Sequence, residues 1–281
     1  MLFQTQPLFP GLTRIWDAAH TAMYLVEGDE KAVLIDTGVG VGDLKAVVDG
    51  LTDKPVTVLI THGHVDHAMG AGAFECAHIS PLDEGVYGEH SQLMVRCGYI
   101  EGAALQGGDP AVLEQVTDAD YQAVRPFSDF LPLAPGDRFD LGGVTVEVLE
   151  DAGHTPGSLT MLIPQWRVLM LGDACNQFTF LFDHWSSPVT RYREMLLGLK
   201  AKTDGRYDRV LVSHGMGEGA PDMIDSVIAV CDDILAGNVD NMPFRGPMGE
   251  HCVIAKAMDF TRFCREDGGS GNIVYGPGKL N

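Results

Sequence analysis

The chain has 281 residues, with 19 basic and 39 acidic side chains and a formal charge of −20. That balance disfavours a grip on nucleic acid, where counterion release needs clustered Lys and Arg, and it equally disfavours docking on anionic lipid. Hydrophobic residues are 45% and charged residues 21%, which excludes disorder for the chain as a whole. No stretch reaches the roughly 18 apolar residues of a membrane span, and Met1 to Pro10 lacks the basic residue and apolar run of a signal peptide. The expectation is a cytoplasmic protein that acts on a small molecule. Six cysteines with no CxxC pair read as reduced, mostly buried thiols.

In chain order, Ala22–Glu27 and Lys31–Ile35 read as two strands of a hairpin around Gly28-Asp29-Glu30. Asp43 to Leu51 carries Leu44, Val47, Val48 and Leu51 at helical spacing. Val56–Ile60 is short and wholly apolar, hence a buried strand, and it feeds directly into Thr61-His62-Gly63-His64-Val65-Asp66-His67. The stretch from about Pro81 to Val124 holds helix-like pieces and interrupts the motif-bearing regions. It reads as a helical insertion, and cover for a site, plain decoration and a homodimer contact all remain open for it.

Val144–Leu149, Leu159–Ile163 and Val168–Leu171 follow as strands, the last ending in Gly172-Asp173. Arg191–Lys200 reads as a helix. Val210–Val212 is another short strand and ends in Ser213-His214-Gly215. Asp222–Leu235 is an amphipathic helix behind Pro221, and Ile273–Tyr275 a last edge strand. No linker separates the halves. Residues 1–281 therefore read as one α/β domain, layered helix–sheet–sheet–helix, with an insertion at about 81–124.

Three histidines and a carboxylate within six residues, directly after a buried strand, are hard to explain as packing. Histidines two apart on extended chain point the same way, so His62 and His64 suit one metal. Asp66 and His67 come as the chain turns into a helix and suit a second. Neutral imidazole and carboxylate are the donors expected for zinc and similar ions. His154, in Gly153-His154-Thr155-Pro156-Gly157, Asp173 and His214 are further ligand-type residues at strand ends, where an α/β site collects its groups.

His62-x-His64-x-Asp66-His67, with His154, Asp173 and His214 downstream and Asp36 in Leu34-Ile35-Asp36-Thr37-Gly38, resembles the metallo-β-lactamase-fold superfamily over roughly residues 20–235. The resemblance implies an αβ/βα sandwich of two mixed sheets flanked by helices, with metals at one edge. It implies His62, His64 and His154 on one metal, Asp66, His67 and His214 on the other, and Asp173 bridging both. Asp36 would orient ligands rather than bind metal. Branches with a cysteine ligand carry it where this chain has Asp173, so Cys175 reads as structural. An aspartate bridge resembles the thioesterase, lactonase and phosphodiesterase branches. Lactonases carry a tyrosine shortly after that aspartate, where this chain has Asn176. Sulfur dioxygenases share many of the same motifs.

Two cations about 3.5–4 Å apart make a shared water a hydroxide near neutral pH. The resulting expectation is a dinuclear metal-dependent hydrolase, with zinc favoured and manganese or iron as alternatives. It would attack an ester, thioester or lactone carbonyl of a small metabolite, with Asp66 both a ligand and a proton relay. A mononuclear iron sulfur dioxygenase and a phosphodiesterase are the rivals. For a substrate pocket, Phe178, Phe180, His184 and Trp185 lie soon after Asp173. A packed strand and turn is the plainer reading of the same residues. In the insertion, Tyr87, His90, Met94 or Tyr99 is expected to face the metals, and Glu84 and Glu89 would disfavour an anionic substrate.

Overall fold

The computed structural model describes residues 1–246, 249–262, 264–276 and 278–280. Packing groups the chain into two compact units, residues 1–147 with 213–215 and residues 148–212 with 216–281.

In the first unit the strands β1 (Gln4–Phe9), β2 (Leu12–Trp16), β3 (Ala22–Glu27), β4 (Ala32–Ile35), β5 (Val56–Leu59), β6 (Ala77–Ile79) and β7 (Leu131–Pro132) stand side by side in chain order. Pairing is antiparallel from β1 to β4 and parallel from β4 to β7. The switch follows from the connections. The turn after β3 is tight, whereas β4 reaches β5 by a crossover through helix α1 (Leu44–Asp49), whose first turn is capped by the Asp43 side chain on Ala46 N at 2.9 Å. β4, Ala-Val-Leu-Ile, is buried along its whole length, as a strand covered on both faces must be. β1 and β2 were not foreseen. β1 is mostly exposed and contains Pro7, so its period is weak.

A single turn, α2 (Val65–Ala68), follows β5. The insertion is helical as expected, with α3 (Glu84–His90), α4 (Leu93–Gly102) and α5 (Pro110–Leu113) among short 3-10 turns. The strand β8 (Arg138–Asp140) pairs antiparallel with the start of β9 (Thr145–Glu150), which carries the chain into the second unit.

There β10 (Leu159–Ile163) pairs antiparallel with β11 (Val168–Met170). β12 (Thr179–Leu181) follows, then helix α6 (Val189–Thr203) and β13 (Arg209–Leu211), which lies parallel to β11. β14 (Glu218–Gly219) and helix α7 (Met223–Ala236) come next. The last strands are β15 (Met242–Arg245), β16 (His251–Ile254), the short pair β17 (Met258–Asp259) and β18 (Cys264–Arg265), and β19 (Ile273–Tyr275). β12, β19, β16 and β15 form a separate sheet in that order. Tyr192, Leu196 and Leu199 of α6 and Val227, Val230 and Cys231 of α7 are buried in one cluster with Leu169 and Val210. The class is α/β with mixed sheets, as expected. Among the described residues no helix is long and apolar enough to cross a membrane.

Candidate metal centre

β5 delivers Thr61 and His62, and α2 follows within three residues, so four ligand-type side chains crowd one corner of the first unit. His62, Asp66 and His67 are buried, and His64 is 9% exposed. The His62 ring lies 4.7 Å from the His64 ring and 4.1 Å from the His67 ring. Gly63 sits between two ligand-type residues because the insertion comes too close for a side chain: a Cβ there would meet Tyr87 N at 2.9 Å. Its amide donates to Asp83 Oδ2 at 2.8 Å.

Asp36 organises this corner. It occupies the left-handed region at φ 63°, which aspartate tolerates better than most residues. Its Oδ1 accepts Thr61 N at 2.7 Å, and its Oδ2 accepts His67 Nδ1–H at 2.8 Å. The Thr61 hydroxyl gives its one proton to the same carboxylate, at 2.8 and 3.0 Å. That oxygen therefore accepts from His62 Nδ1 at 3.0 Å. Both rings thus carry their proton on Nδ1 and present an Nε2 lone pair, the arrangement a metal-ligating histidine needs.

Ser213–Gly215 also belongs to this unit. Ala22 N donates to Ser213 O at 2.8 Å. His20, stacked on Trp16 at 4.2 Å, donates from Nε2 to Gly215 O at 3.2 Å. His214 is thereby set beside Asp66. Asp66 Oδ2 lies 3.2 Å from His214 Nε2 and 3.3 Å from His67 Nε2. The His67 proton is committed to Asp36, so its Nε2 turns a lone pair toward a carboxylate oxygen. Two acceptors face each other, an arrangement that a cation relieves. Burial raises the Asp66 carboxyl, and positive charge beside it, on the His67 and His214 imidazoles when they are protonated, outweighs that and holds it well below the usual range. The donor chemistry fits a divalent metal ion, and the ligand atoms of Asp66, His67 and His214 lie within 4.8 Å of one another, as do those of His62 and His64.

In the second unit His154 is 3% exposed, and its Nδ1–H donates to Phe180 O at 2.8 Å. Its Nε2 is again the atom left for a ligand role. The turn before it packs so closely on Tyr192 that a Cβ at Gly153 would lie 2.2 Å from the ring. Asp173 stands just past β11 and is half-buried.

With this geometry in place, residues 16–214 match the model of the metallo-beta-lactamase superfamily. The chain belongs to that superfamily. Relatives are distant. An uncharacterised protein of Mycobacterium bovis is 28% identical over 140 residues, 48% of this chain and 55% of that one. The chain thus spans about half the length of its mycobacterial relatives. The acyl-coenzyme A thioesterase MBLAC2 of Gallus gallus is 26% identical over 230 residues, 75% of this chain and 80% of that one. Among solved structures, the metallo-beta-lactamase from Pontibacter korlensis superposes with a TM-score of 0.59 at 17% identity, over 82% of this chain and 99% of that one. The sec-alkylsulfatase Pisa1 from Pseudomonas sp. gives 0.59 at 19% identity, over 83% and 42%. These likenesses concern the fold.

The insertion of this superfamily member divides its four pocket candidates. Tyr99 donates from its hydroxyl to Asp66 Oδ2 at 2.7 Å, and the His90 ring stacks on His64 at 4.4 Å while its Nδ1 accepts Val65 N at 3.2 Å. Tyr87 is instead a core residue, 3% exposed against Phe127 and Phe130, with its hydroxyl donated to Arg125 O at 2.6 Å. Met94 is 78% exposed. In the second unit Phe178 and Phe180 are half-buried, His184 is exposed, and the His184 and Trp185 rings lie 4.8 Å apart. Cys175 is buried in the α6–α7 core, where burial pushes its thiol well above the ordinary value.

Sequence reasoning missed two residues of the first unit. Asp17 is buried and accepts Thr21 N at 2.9 Å and Val39 N at 3.1 Å, and burial pushes its carboxyl up to about 6. Arg96 is buried on α4 and donates to the carbonyls of Val39, Gly40 and Gln122. Neither stands in a motif, and only the burial of a lone charge marks them.

Proposed function

We propose that this protein is a dinuclear metal-dependent hydrolase of acyl thioesters and related esters. In this reading His62, His64 and His154 hold one metal, Asp66, His67 and His214 hold the other, and Asp173 serves both. The reading rests above all on Asp66 Oδ2, an acceptor faced by the Nε2 atoms of two histidines. When bound, two divalent ions supply Lewis acidity and an activated water at neutral pH. The chain's own residues fix the geometry. Asp36 and Thr61 hold the imidazoles in the Nδ1–H form, and Tyr99 holds Asp66. Asp66 Oδ2, already the acceptor for a phenolic proton, is the atom placed to pass a proton to a leaving group. Thioesters come first because relatives in chicken, cattle and human are named acyl-coenzyme A thioesterases. The net charge of −20 weighs against a polyanionic acyl donor, so uncharged acyl thioesters belong in any trial.

The test is metal analysis of the purified protein beside a panel of acyl-CoA and uncharged acyl thioesters, lactones, phosphodiesters and β-lactams. Oxygen uptake with a persulfide is monitored in parallel. About two equivalents of metal, zinc foremost, and thioester turnover are expected. His62→Ala should lose metal and turnover together. Full activity after exhaustive chelation, or oxygen uptake in place of hydrolysis, overturns the reading.

A further inference from the structure

Helix α4 is poorly suited to hold its place by apolar packing. Of its ten residues only Arg96 and Ile100 are buried, and Leu93 and Met94 at its start are 54% and 78% exposed. A buried guanidinium costs stability unless its N–H groups are satisfied. The partners of Arg96 are main-chain carbonyls. Its Nε donates to Val39 O at 3.2 Å, Nη2 to Gly40 O at 2.7 Å and Nη1 to Gln122 O at 2.9 Å, and the group lies 5.2 Å from the Tyr121 ring.

Two of those carbonyls belong to the loop that follows Asp36. Gly38 and Gly40 take left-handed backbone there, at φ 68° and 69°. A Cβ at Gly40 would lie 2.5 Å from Met69 O and 2.8 Å from Arg96 Nη2, so only glycine fits where the loop meets both. The same loop is tied to α2, since Thr37 N donates to His67 O at 2.7 Å and Met69 N to Gly38 O at 3.1 Å. One turn beyond Arg96 on α4, Tyr99 donates to Asp66 of α2 at 2.7 Å. The contacts close a ring that runs from α2 through the loop, Arg96, α4 and Tyr99 back to α2. Gln122 brings the far arm of the insertion to the same point, because its N–H donates to Gly40 O at 2.8 Å. Hydrogen bonds weaken steeply with misalignment, so a phenol that must meet one carboxylate oxygen needs a helix that does not slide.

We propose that Arg96 is a positioning residue of the metal centre: it fixes α4 to the loop after Asp36 and so sets the Tyr99 hydroxyl against Asp66 Oδ2. The insertion is then a fixed wall of the centre rather than a lid. The proposal deepens the hydrolase reading and rests on it for the effect on turnover, but the geometry it asserts is read without metal or substrate. Tyrosine carrying carbon-13 at Cζ labels all seven phenols, and Tyr99→Phe identifies the Tyr99 signal by its loss. Arg96→Lys keeps the charge, but its single ammonium cannot reach three carbonyls. In the metal-free protein it should shift the Tyr99 signal toward that of a solvated phenol, and an unmoved signal overturns the proposal. Turnover gives a second arm. Arg96→Lys and Tyr99→Phe should each lower kcat by about tenfold, and the double variant by about tenfold as well. A loss of about a hundredfold in the double variant means that the two act independently, and it overturns the proposal. If circular dichroism shows that Arg96→Lys does not fold, amide exchange in the wild-type protein decides. The amides of α4 should open together with those of Met69 and Gln122, whereas α4 exchanging on its own, at least about tenfold faster, overturns the proposal. A wild-type protein that hydrolyses no ester or thioester removes the hydrolase reading, and the Cζ signal still decides the role of Arg96.

Discussion

In the first unit a ligand-type histidine is held by a carboxylate, and in the second by a peptide carbonyl. His67 donates to Asp36, which also gathers Thr61 and through it His62, while Tyr99 and His90 come from the insertion to brace Asp66 and His64. His154 donates to the main chain at Phe180, and its loop is set by Gly153 against Tyr192. The first arrangement is a buried polar network in which every member depends on its neighbours. The second is apolar packing with one backbone bond. Side-chain networks are open to point mutation, whereas no substitution at position 180 other than a change of backbone removes the carbonyl that orients His154.

The comparison breaks most sharply at Asp36. In Asp36→Asn one carboxylate oxygen becomes an amide that donates, and Thr61 N, the Thr61 hydroxyl and His67 Nδ1–H no longer share a common acceptor. Metal affinity should fall by about 10- to 100-fold, read by competition with a chromophoric chelator. An unchanged affinity would mean that packing alone orients His67, as it does His154.

The same contrast governs what the sequence makes legible. His62, His64, Asp66 and His67 are contiguous and leave a strand of four residues, so direction and spacing alone nominate them. His154, Asp173 and His214 stand out because each is a ligand-type residue just past a short apolar strand. Asp36 is legible only through resemblance, since nothing local shows that a lone aspartate at φ 63° will face Thr61 and His67. Within the insertion, α3 and α4 are separate helices joined at Ser91–Gln92, so their relative phase is set by tertiary packing. Tyr87 and His90 share a face of α3, yet Phe127 and Phe130, forty residues on, draw Tyr87 into the core. The sheet of β12, β19, β16 and β15 escapes for a related reason. Phe178 and Phe180 are visible as aromatics, but Phe244 joins them only through strand pairing over about sixty residues.

A smaller effect sharpens the comparison at Tyr99. Tyr99→Phe keeps the ring and removes the 2.7 Å bond to Asp66 Oδ2, while Thr21 Oγ1 remains a donor to that oxygen at 3.3 Å. Metal content should hold, with kcat lower by on the order of tenfold, the scale of one hydrogen bond to a charged group. If metal is lost as well, Tyr99 holds the ligand in place. If neither changes, Thr21 suffices and the insertion contributes only packing.

The smallest effect belongs to the second unit and concerns stability. Asp151 is fully buried. Thr160 Oγ1 donates to its Oδ2 at 2.8 Å, while Oδ1 meets no partner among the described residues. Burial pushes the carboxyl up from 3.8 to about 7, with Glu150 adding to the rise and Thr160 opposing it. The sign follows from proton counting. Below 3.8 both folded and unfolded states hold the proton, and the group contributes nothing to the pH dependence. Between 3.8 and about 7 the unfolded chain has released it and the folded chain has not, so folding loses stability as pH rises, and above about 7 the loss is constant. Asp151→Asn is neutral at every pH and still accepts from Thr160. Denaturant unfolding of wild type and variant, paired at each pH so that metal-linked effects cancel, should show the asparagine variant gaining steadily between pH 4 and 7. The total gain should be on the order of a few kcal/mol at most. A difference that stays flat across that window would show that Asp151 titrates as an ordinary carboxylate and that the second unit, like the first, admits compensation for a buried charge.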